Sequence, residues 1–113
     1  MLKTSIKKDM NLNYREEKGI GVIEFCGELD NHTASFAKQD LDSIIERSTS
    51  TNYIFDMEKL KFMDSSGIGI LLGRYRAIKN RGGNLFVRNI NPQIDKVFRV
   101  SGLYQVLIKM DKN

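Results

Sequence analysis

Cysteine, histidine, proline and tryptophan are nearly missing from these 113 residues, which hold one Cys, one His, one Pro and no Trp. A lone Cys26 rules out an internal disulfide. It falls in the apolar segment Ile20 to Gly27, where a small buried thiol is expected. One Cys and one His make no metal site without several carboxylates beside them, and the sequence gathers no such cluster. No metal or cofactor is therefore expected. With His32 as the sole histidine and Gly-x-Ser-x-Gly absent, a serine hydrolase is poorly supported, and His32 reads as a first-turn helix residue.

Long apolar runs are missing too. The stretch Ile68 to Leu72 contains Gly69 and falls far short of the roughly 20 residues of a membrane span. Lys3, Lys7 and Lys8 are not followed by the apolar stretch of a secretory signal. The cytoplasm, without membrane contact, is the expected compartment. The charge excess is small: 18 Lys and Arg against 14 Asp and Glu, net +4. The basic residues spread over the termini, Arg74 to Arg81 and Arg88 to Arg99, without interleaved aromatics. That pattern reads as solvated faces rather than a nucleic-acid surface.

What is present suits one domain over 1–113, with a core from about 8 to 110. Hydrophobic residues form 41% of the chain, enough for one layered core. Met10, Leu12 and Tyr14 alternate within Lys8 to Tyr14, which reads as an edge strand. Glu16-Glu17-Lys18-Gly19 turns the chain into a second strand, Ile20 to Cys26, giving a hairpin. The polar loop Gly27-Glu28-Leu29-Asp30-Asn31 follows, with Asp30 and Asn31 as helix N-cap candidates. Ala34, Ala37, Leu41, Ile44 and Ile45 make one apolar stripe on a helix from His32 to about Arg47. A strand from Tyr53 to Met57 comes next. Ile68, Leu71, Leu72, Tyr75 and Ile78 define a second helix, stopped by Gly82-Gly83. Leu85 to Val87 is a short strand. Asn91-Pro92 opens a third helix with Ile94, Val97 and Phe98 inward and Ser101-Gly102 at its end. A last strand spans Val106 to Met110. The order β-β-α-β-α-β-α-β implies an α/β fold with a mostly parallel mixed sheet and one antiparallel strand from the opening hairpin.

The chemically informative stretch runs from Phe62 to Tyr75, where small polar residues lead straight into an amphipathic helix. Unpaired N–H groups and the macrodipole make a helix start favourable for an anion. Asp64, Ser65 and Ser66 can simply cap the helix. Alternatively, one of the hydroxyls can accept a phosphoryl group there. On the residues alone both readings stay open. Gly67-x-Gly69-x-x-x-Gly73 misses the dinucleotide spacing by one residue, and Gly73 is followed by Arg74 rather than the Lys of a P-loop. The three glycines read instead as allowing close packing of helix on sheet.

Asp64-Ser65-Ser66-Gly67-Ile68-Gly69-Ile70-Leu71-Leu72-Gly73-Arg74-Tyr75 resembles the signature of the STAS-domain anti-sigma-factor antagonists of spore-forming bacteria. Gly27-Glu28-Leu29-Asp30-Asn31-His32-Thr33-Ala34, Gly82-Gly83 and Phe98-Arg99-Val100-Ser101-Gly102-Leu103 are similar to the same family, in order. The resemblance spans about Met10 to Met110. It implies a STAS fold and a non-enzymatic switch. The unphosphorylated form would bind an anti-sigma factor that is also an ATP-dependent serine kinase, and a metal-dependent serine phosphatase would reverse the modification. The family's phosphoserine follows the aspartate, which maps to Ser65. Partner contacts are expected from Glu28, Asp30, Asn31, Asp64, Ser66 and Gly67, with Ser66 the better capping candidate. A monomer when free is expected, with no direct contact to nucleic acid. Members of the family usually continue into a C-terminal helix, for which the sequence past Met110 leaves no room. The same residues would also suit a STAS module of another stress or sensory pathway. An enzyme acting on a small phosphorylated substrate would need a general base beyond Asp64.

Overall fold

The computed structural model describes residues 9–110. Strand β1 (Met10–Glu17) pairs antiparallel with β2 (Ile20–Leu29), joined by Lys18-Gly19. Both turn residues have positive φ, 54° and 84°. A two-residue hairpin that follows the strand twist needs this, and Gly19 adopts it without strain. The chain continues through α1 (Ala34–Arg47), β3 (Tyr53–Met63), α2 (Ser65–Asn80), β4 (Leu85–Arg88), α3 (Pro92–Ser101), a 3₁₀ turn (Leu103–Gln105) and β5 (Ile108–Lys109). The sheet order is β1-β2-β3-β4-β5, parallel from β2 onward, as the alternation of strands and helices implies.

One face of the sheet carries the core. Ile23, Phe25 and Leu29 of β2, Phe55, Leu60 and Met63 of β3, and Leu85 and Val87 of β4 join one apolar cluster with the helices. The Phe25 and Phe55 rings sit 5.1 Å apart at a tilt. Helix α1 enters the cluster through Ala37, Leu41 and Ile45, and α3 through Ile94 and Phe98. Strand alternation turns Val22, Ile54, Phe86 and Ile108, which are register neighbours, to the opposite face.

Several expected boundaries move. The Lys8 end of the first strand lies outside the described residues, and β1 runs on past Tyr14 to Glu17. Strand β2 extends to Leu29, so Glu28 and Leu29 are strand residues rather than loop. His32 precedes α1 instead of opening it. The last strand is only Ile108–Lys109, because the 3₁₀ turn takes the preceding segment and Leu107 is buried in the core. The expectation about a helix after β5 falls beyond the described residues. Cys26 points to the face opposite the core, half-buried rather than enclosed, and partial burial pushes its thiol pKa up.

The largest change concerns β3, which continues six residues beyond the expected Met57. Two register shifts against β2, one between Glu24 and Cys26 and one between Gly27 and Glu28, each place an extra residue in β3. The bulges return Leu60 and Met63 to the core side while Glu58, Lys59 and Lys61 stay exposed, so the apolar alternation is broken in sequence. Asp56 is buried at the first bulge. Its carboxylate accepts from the Glu58 N–H (3.1 Å), Asn89 Nδ2 (2.9 Å) and Arg88 Nε (3.1 Å). Burial raises the pKa of this carboxyl, yet the three donors outweigh it and hold it below the usual value.

On α2 the buried residues are Gly67, Ile70, Leu71, Arg74 and Ile78, so the expected stripe is rotated, with Ile68, Leu72 and Tyr75 only half-buried. The cause is that α2 packs against both α1 and α3 as well as the sheet. Arg74 turns toward α1, its Nε 3.1 Å from Asp42 Oδ1, an ion pair without hydrogen-bond alignment.

Helix α3 is tied to the end of the chain through Asp95. Tyr104 Oη donates to Asp95 Oδ1 at 2.6 Å, Arg99 Nε to Oδ2 at 2.9 Å and Lys109 Nζ to Oδ1 at 3.4 Å. The Tyr104 hydroxyl, then Arg99 and Lys109, hold the Asp95 carboxyl down to about 2, while burial and the carboxylate push Tyr104 up. A carboxyl depressed on folding contributes stability above its unfolded pKa of about 3.9 and loses it as pH falls through the folded value. The melting temperature of the wild type should therefore exceed that of Asp95→Asn above about pH 4. That margin should shrink steadily in thermal melts taken toward pH 2; a constant margin would mean that the carboxylate is not ionised in this cluster.

Candidate functional site

Because β2 and β3 are parallel and, after the two bulges, remain paired as far as Leu29 opposite Met63, their C-terminal ends deliver two loops to the same edge. The Asp64 N–H donates to the Leu29 carbonyl at 3.2 Å, which extends the pairing one residue past β3. The segment Glu28–Asn31 and the segment Asp64–Gly67 are thereby neighbours.

After β2, the chain closes on itself. Asp30 Oδ1 accepts from the N–H groups of His32 (2.9 Å) and Thr33 (3.2 Å). The buried Thr33 hydroxyl donates to the Glu28 carbonyl at 2.8 Å and accepts from the Asp30 N–H at 3.0 Å. Asp30 thus shapes the turn, and Thr33, not Asp30 or Asn31, occupies the N-cap position of α1, without a side-chain cap bond. Glu28 and Asn31 remain exposed.

After β3, one residue suffices to enter α2. Asp64 is the N-cap in extended conformation, and its Oδ1 accepts from the Ser66 N–H at 2.8 Å. The expected capping role of Ser66 is therefore taken by Asp64. The helix begins at Ser65, two residues earlier than a cap at Ser66 would allow. Ser65 is exposed on the first turn, Ser66 is half-buried, and Gly67 is buried. A Cβ on Gly67 would meet Met63 Cγ at 2.7 Å and Leu29 Cδ2 at 2.9 Å, so a glycine lets α2 start directly over the strand ends. Gly69 and Gly73 have no neighbour within 4 Å of that position, so the close-packing expectation holds for Gly67 alone.

Gln93 on α3 completes the arrangement. Its Oε1 accepts from the Met63 N–H at 3.1 Å and its Nε2 donates to the Met63 carbonyl at 2.9 Å. Asn91 caps α3 through the Ile94 N–H and donates to the Leu60 carbonyl at 3.1 Å. The Asn91-Pro92 helix start is legible in sequence, but the Gln93 contact is not, since it exists only because β3 outruns β4.

These contacts separate the glycines and the caps by experiment. Gly67→Ala should cost about 1–3 kcal/mol through overpacking, whereas Gly69→Ala should gain about 0.5–1 kcal/mol from helix propensity. Asp64→Ala should cost roughly 0.5–2 kcal/mol as a lost cap, and Ser66→Ala less than about 0.5 kcal/mol. Chemical denaturation of the four variants reads all these values, and a larger loss at Ser66 than at Asp64 would contradict the cap assignment.

Comparison with known proteins agrees with this geometry. The STAS domain family model matches residues 11–113. An anti-sigma F factor antagonist of Paenibacillus polymyxa is 35% identical over 100 residues, 87% of this chain and 86% of that protein. Another from Lysinibacillus sphaericus is 40% identical over 82 residues, 73% and 70% of the two chains. Among solved structures, the anti-sigma factor antagonist SpoIIAA in its unphosphorylated form superposes with a TM-score of 0.74 at 31% identity, covering 90% of each chain. Bacillus SpoIIAA in the phosphorylated form gives 0.66 at 31% identity, covering 90% and 93%. The strand-end site is the part of the fold where the resembling signature lies, and the chain belongs to the STAS-domain family of anti-sigma factor antagonists.

Proposed function

We propose that the protein is a phosphorylation-controlled antagonist of an anti-sigma factor, with Ser65 as the modified residue. The unphosphorylated form binds the anti-sigma factor and frees the sigma factor. The anti-sigma factor, acting as a serine kinase, transfers a phosphoryl group from ATP and ends the contact, and a metal-dependent serine phosphatase restores the hydroxyl. In the transfer Ser65 Oγ forms the new P–O bond, the bond to the ADP oxygen breaks, and the hydroxyl proton is lost. The cytoplasm is the compartment this role requires, and a free monomer fits it.

The observation that carries the reading is an exposed hydroxyl at the first position of α2, directly after a cap that another residue supplies. Since Asp64 already caps the helix, Ser65 is free to be modified without loss of a structural bond. A phosphate there adds about −1.5 to −2 charges beside the positive end of the helix macrodipole. The fold tolerates the charge, while the surface changes. The SpoIIAA structures in two phosphorylation states support the same logic for a relative. A desolvated, mismatched charge at an interface costs about 2–5 kcal/mol, on the order of 30- to 4000-fold in affinity.

Glu28, Asp30 and Asn31 beside Asp64, Ser66 and Gly67 form the partner surface in this reading, with exposed Glu28 suited to a basic residue. Incubation with the anti-sigma factor kinase of the same organism and ATP should put one phosphate on the peptide spanning Met63 to Arg74. Fragment spectra should place it on Ser65. Ser65→Ala should lose the phosphate yet keep binding, and Ser65→Asp should fold but bind poorly. Glu28→Lys should weaken binding with an unchanged melting temperature. Phosphate on Ser66, or none in the presence of active kinase, would overturn the assignment.

A further inference from the structure

Arg74 is out of place by hydropathy. A helix that buried residues by apolar character alone would turn Ile68, Leu72 and Tyr75 inward, yet these stay half-buried while Arg74 is only 8% exposed. Neither its Nε nor its Nη1 has a hydrogen-bond partner, although both are shielded from solvent. Asp42 of α1 lies 3.1 Å from Nε, but out of line with the N–H, and its own side chain is 44% exposed. Buried N–H groups left unpaired cost free energy, and a buried charge set against a partly hydrated one recovers little of its desolvation. Stability alone gives no reason for an arginine at this position.

What the residue does supply is orientation. Gly67 and Arg74 are spaced by roughly two helical turns, so they lie on one side of α2. Gly67 sits over Met63 and Leu29 with no room for a Cβ, which bars large rotations of the helix about its axis. Having no side chain, it leaves small rotations free. Arg74 removes that freedom, because only one setting of the helix holds its charge against Asp42. The brace therefore ties the helix that opens with Ser65 to the helix that follows the Asp30 turn.

We propose that Arg74 is a positioning residue for phosphoryl transfer, its ion pair with Asp42 setting the rotation of α2 and so the direction in which Ser65 presents its hydroxyl. The inference rests on the reading of Ser65 as the switch. A side-chain atom lies about 5 Å from the helix axis, so a turn of about 20° moves it by about 2 Å. Misplacing a reacting atom by about 1 Å can cost on the order of 100-fold in rate. Arg74 acts from about 14 Å along the axis. It touches neither the hydroxyl nor the exposed edge around it, so its effect falls on orientation and not on the docking surface.

The test uses the full chain with the anti-sigma factor kinase of the same organism and ATP, and follows phosphate on Ser65 at steady state. Arg74→Met removes the buried charge and leaves Asp42 exposed beside Lys38, so the melting temperature should equal or exceed that of wild type. Its kcat should nonetheless fall by about tenfold or more, with KM within about threefold, because the hydroxyl is misdirected while the docking surface is unaltered. Asp42→Ala, which takes away the anchor instead, should lose kcat in the same way. Arg74→Lys should return kcat to within about threefold of wild type, since a pair without hydrogen-bond alignment needs a positive charge rather than a guanidinium fork. If Arg74→Met and Asp42→Ala are phosphorylated as fast as wild type, the pair does not orient the serine and the proposal fails, with the switch reading intact. A failure of Arg74→Met to fold, or a marked drop in its melting temperature, would show Arg74 holding the fold and overturn the proposal equally. So would a loss of kcat that Arg74→Lys does not restore. If wild type takes no phosphate from an active kinase, the switch reading falls and takes the positioning role with it.

Discussion

A central strand that outruns its neighbour leaves polar backbone groups facing protein rather than a ladder, and this chain's site grows from how β3 meets that demand. Only Tyr53 to Asp56 pair with β4. Beyond them the outer edge of β3 would carry unmatched N–H and C=O groups, each costly if buried unpaired. The Asp56 carboxylate takes the Glu58 N–H at the bulge, Asn91 takes the Leu60 carbonyl, and the Gln93 amide takes both groups of Met63. The first turn of α3 therefore acts as a short surrogate strand. It fixes where β3 ends, and so where α2 begins.

From that fixed point the rest follows with little slack. Met63 is held by Gln93 on one side and lies opposite Leu29 on the other. Gly67 rests on both side chains, and Asp64 joins the two strand ends through the Leu29 carbonyl. The loop between β3 and α2 is then a single residue, too short to rearrange without disturbing the strand pairing. The strand-end edge is preformed, so in the proposed switch a phosphate at Ser65 would act on surface chemistry rather than on the fold. Preorganisation of this kind limits the ordering cost of association.

Much of this was readable from residue order. Asn91-Pro92, Gly82-Gly83, the Lys18-Gly19 turn and the α1 stripe each carry a local physical signature, and each marks an element the structure contains. The reach of β3 was not readable, because Glu58, Lys59 and Lys61 look like loop residues until two bulges restore the inward direction of Leu60 and Met63. The α2 face is only partly legible for a related reason: periodicity reports one apolar stripe, of which Leu71 and Ile78 are buried, whereas a helix with three neighbours buries residues on more than one side, including Arg74. The choice among Asp64, Ser65 and Ser66 for the cap is undecided by composition, since all three can cap. It is decided by the helix starting at Ser65, which the strand end dictates. The motif that identified the candidate site was local and legible, while its surroundings were set by tertiary contacts.

The tertiary contacts also bear on why Ser65 suits the role proposed for it. A phosphorylated hydroxyl inside the acidic loop would add like charge to an already negative edge, and one within the core would cost the fold its packing. Ser65 lies between these extremes, on the first turn of a helix whose cap and whose packing residue are its neighbours Asp64 and Gly67. Structural duty is thus carried on both sides of it and not by it. The same turn borders a groove between α2 and α3 that Ile68, Val97 and Val100 also line, because α3 is drawn to the end of β3 by Asn91 and Gln93. The contacts that satisfy the orphaned strand edge are therefore the ones that bring an apolar surface beside the serine. In the proposed switch, a phosphate at Ser65 would change the charge of this edge while leaving every bond that holds the fold in place.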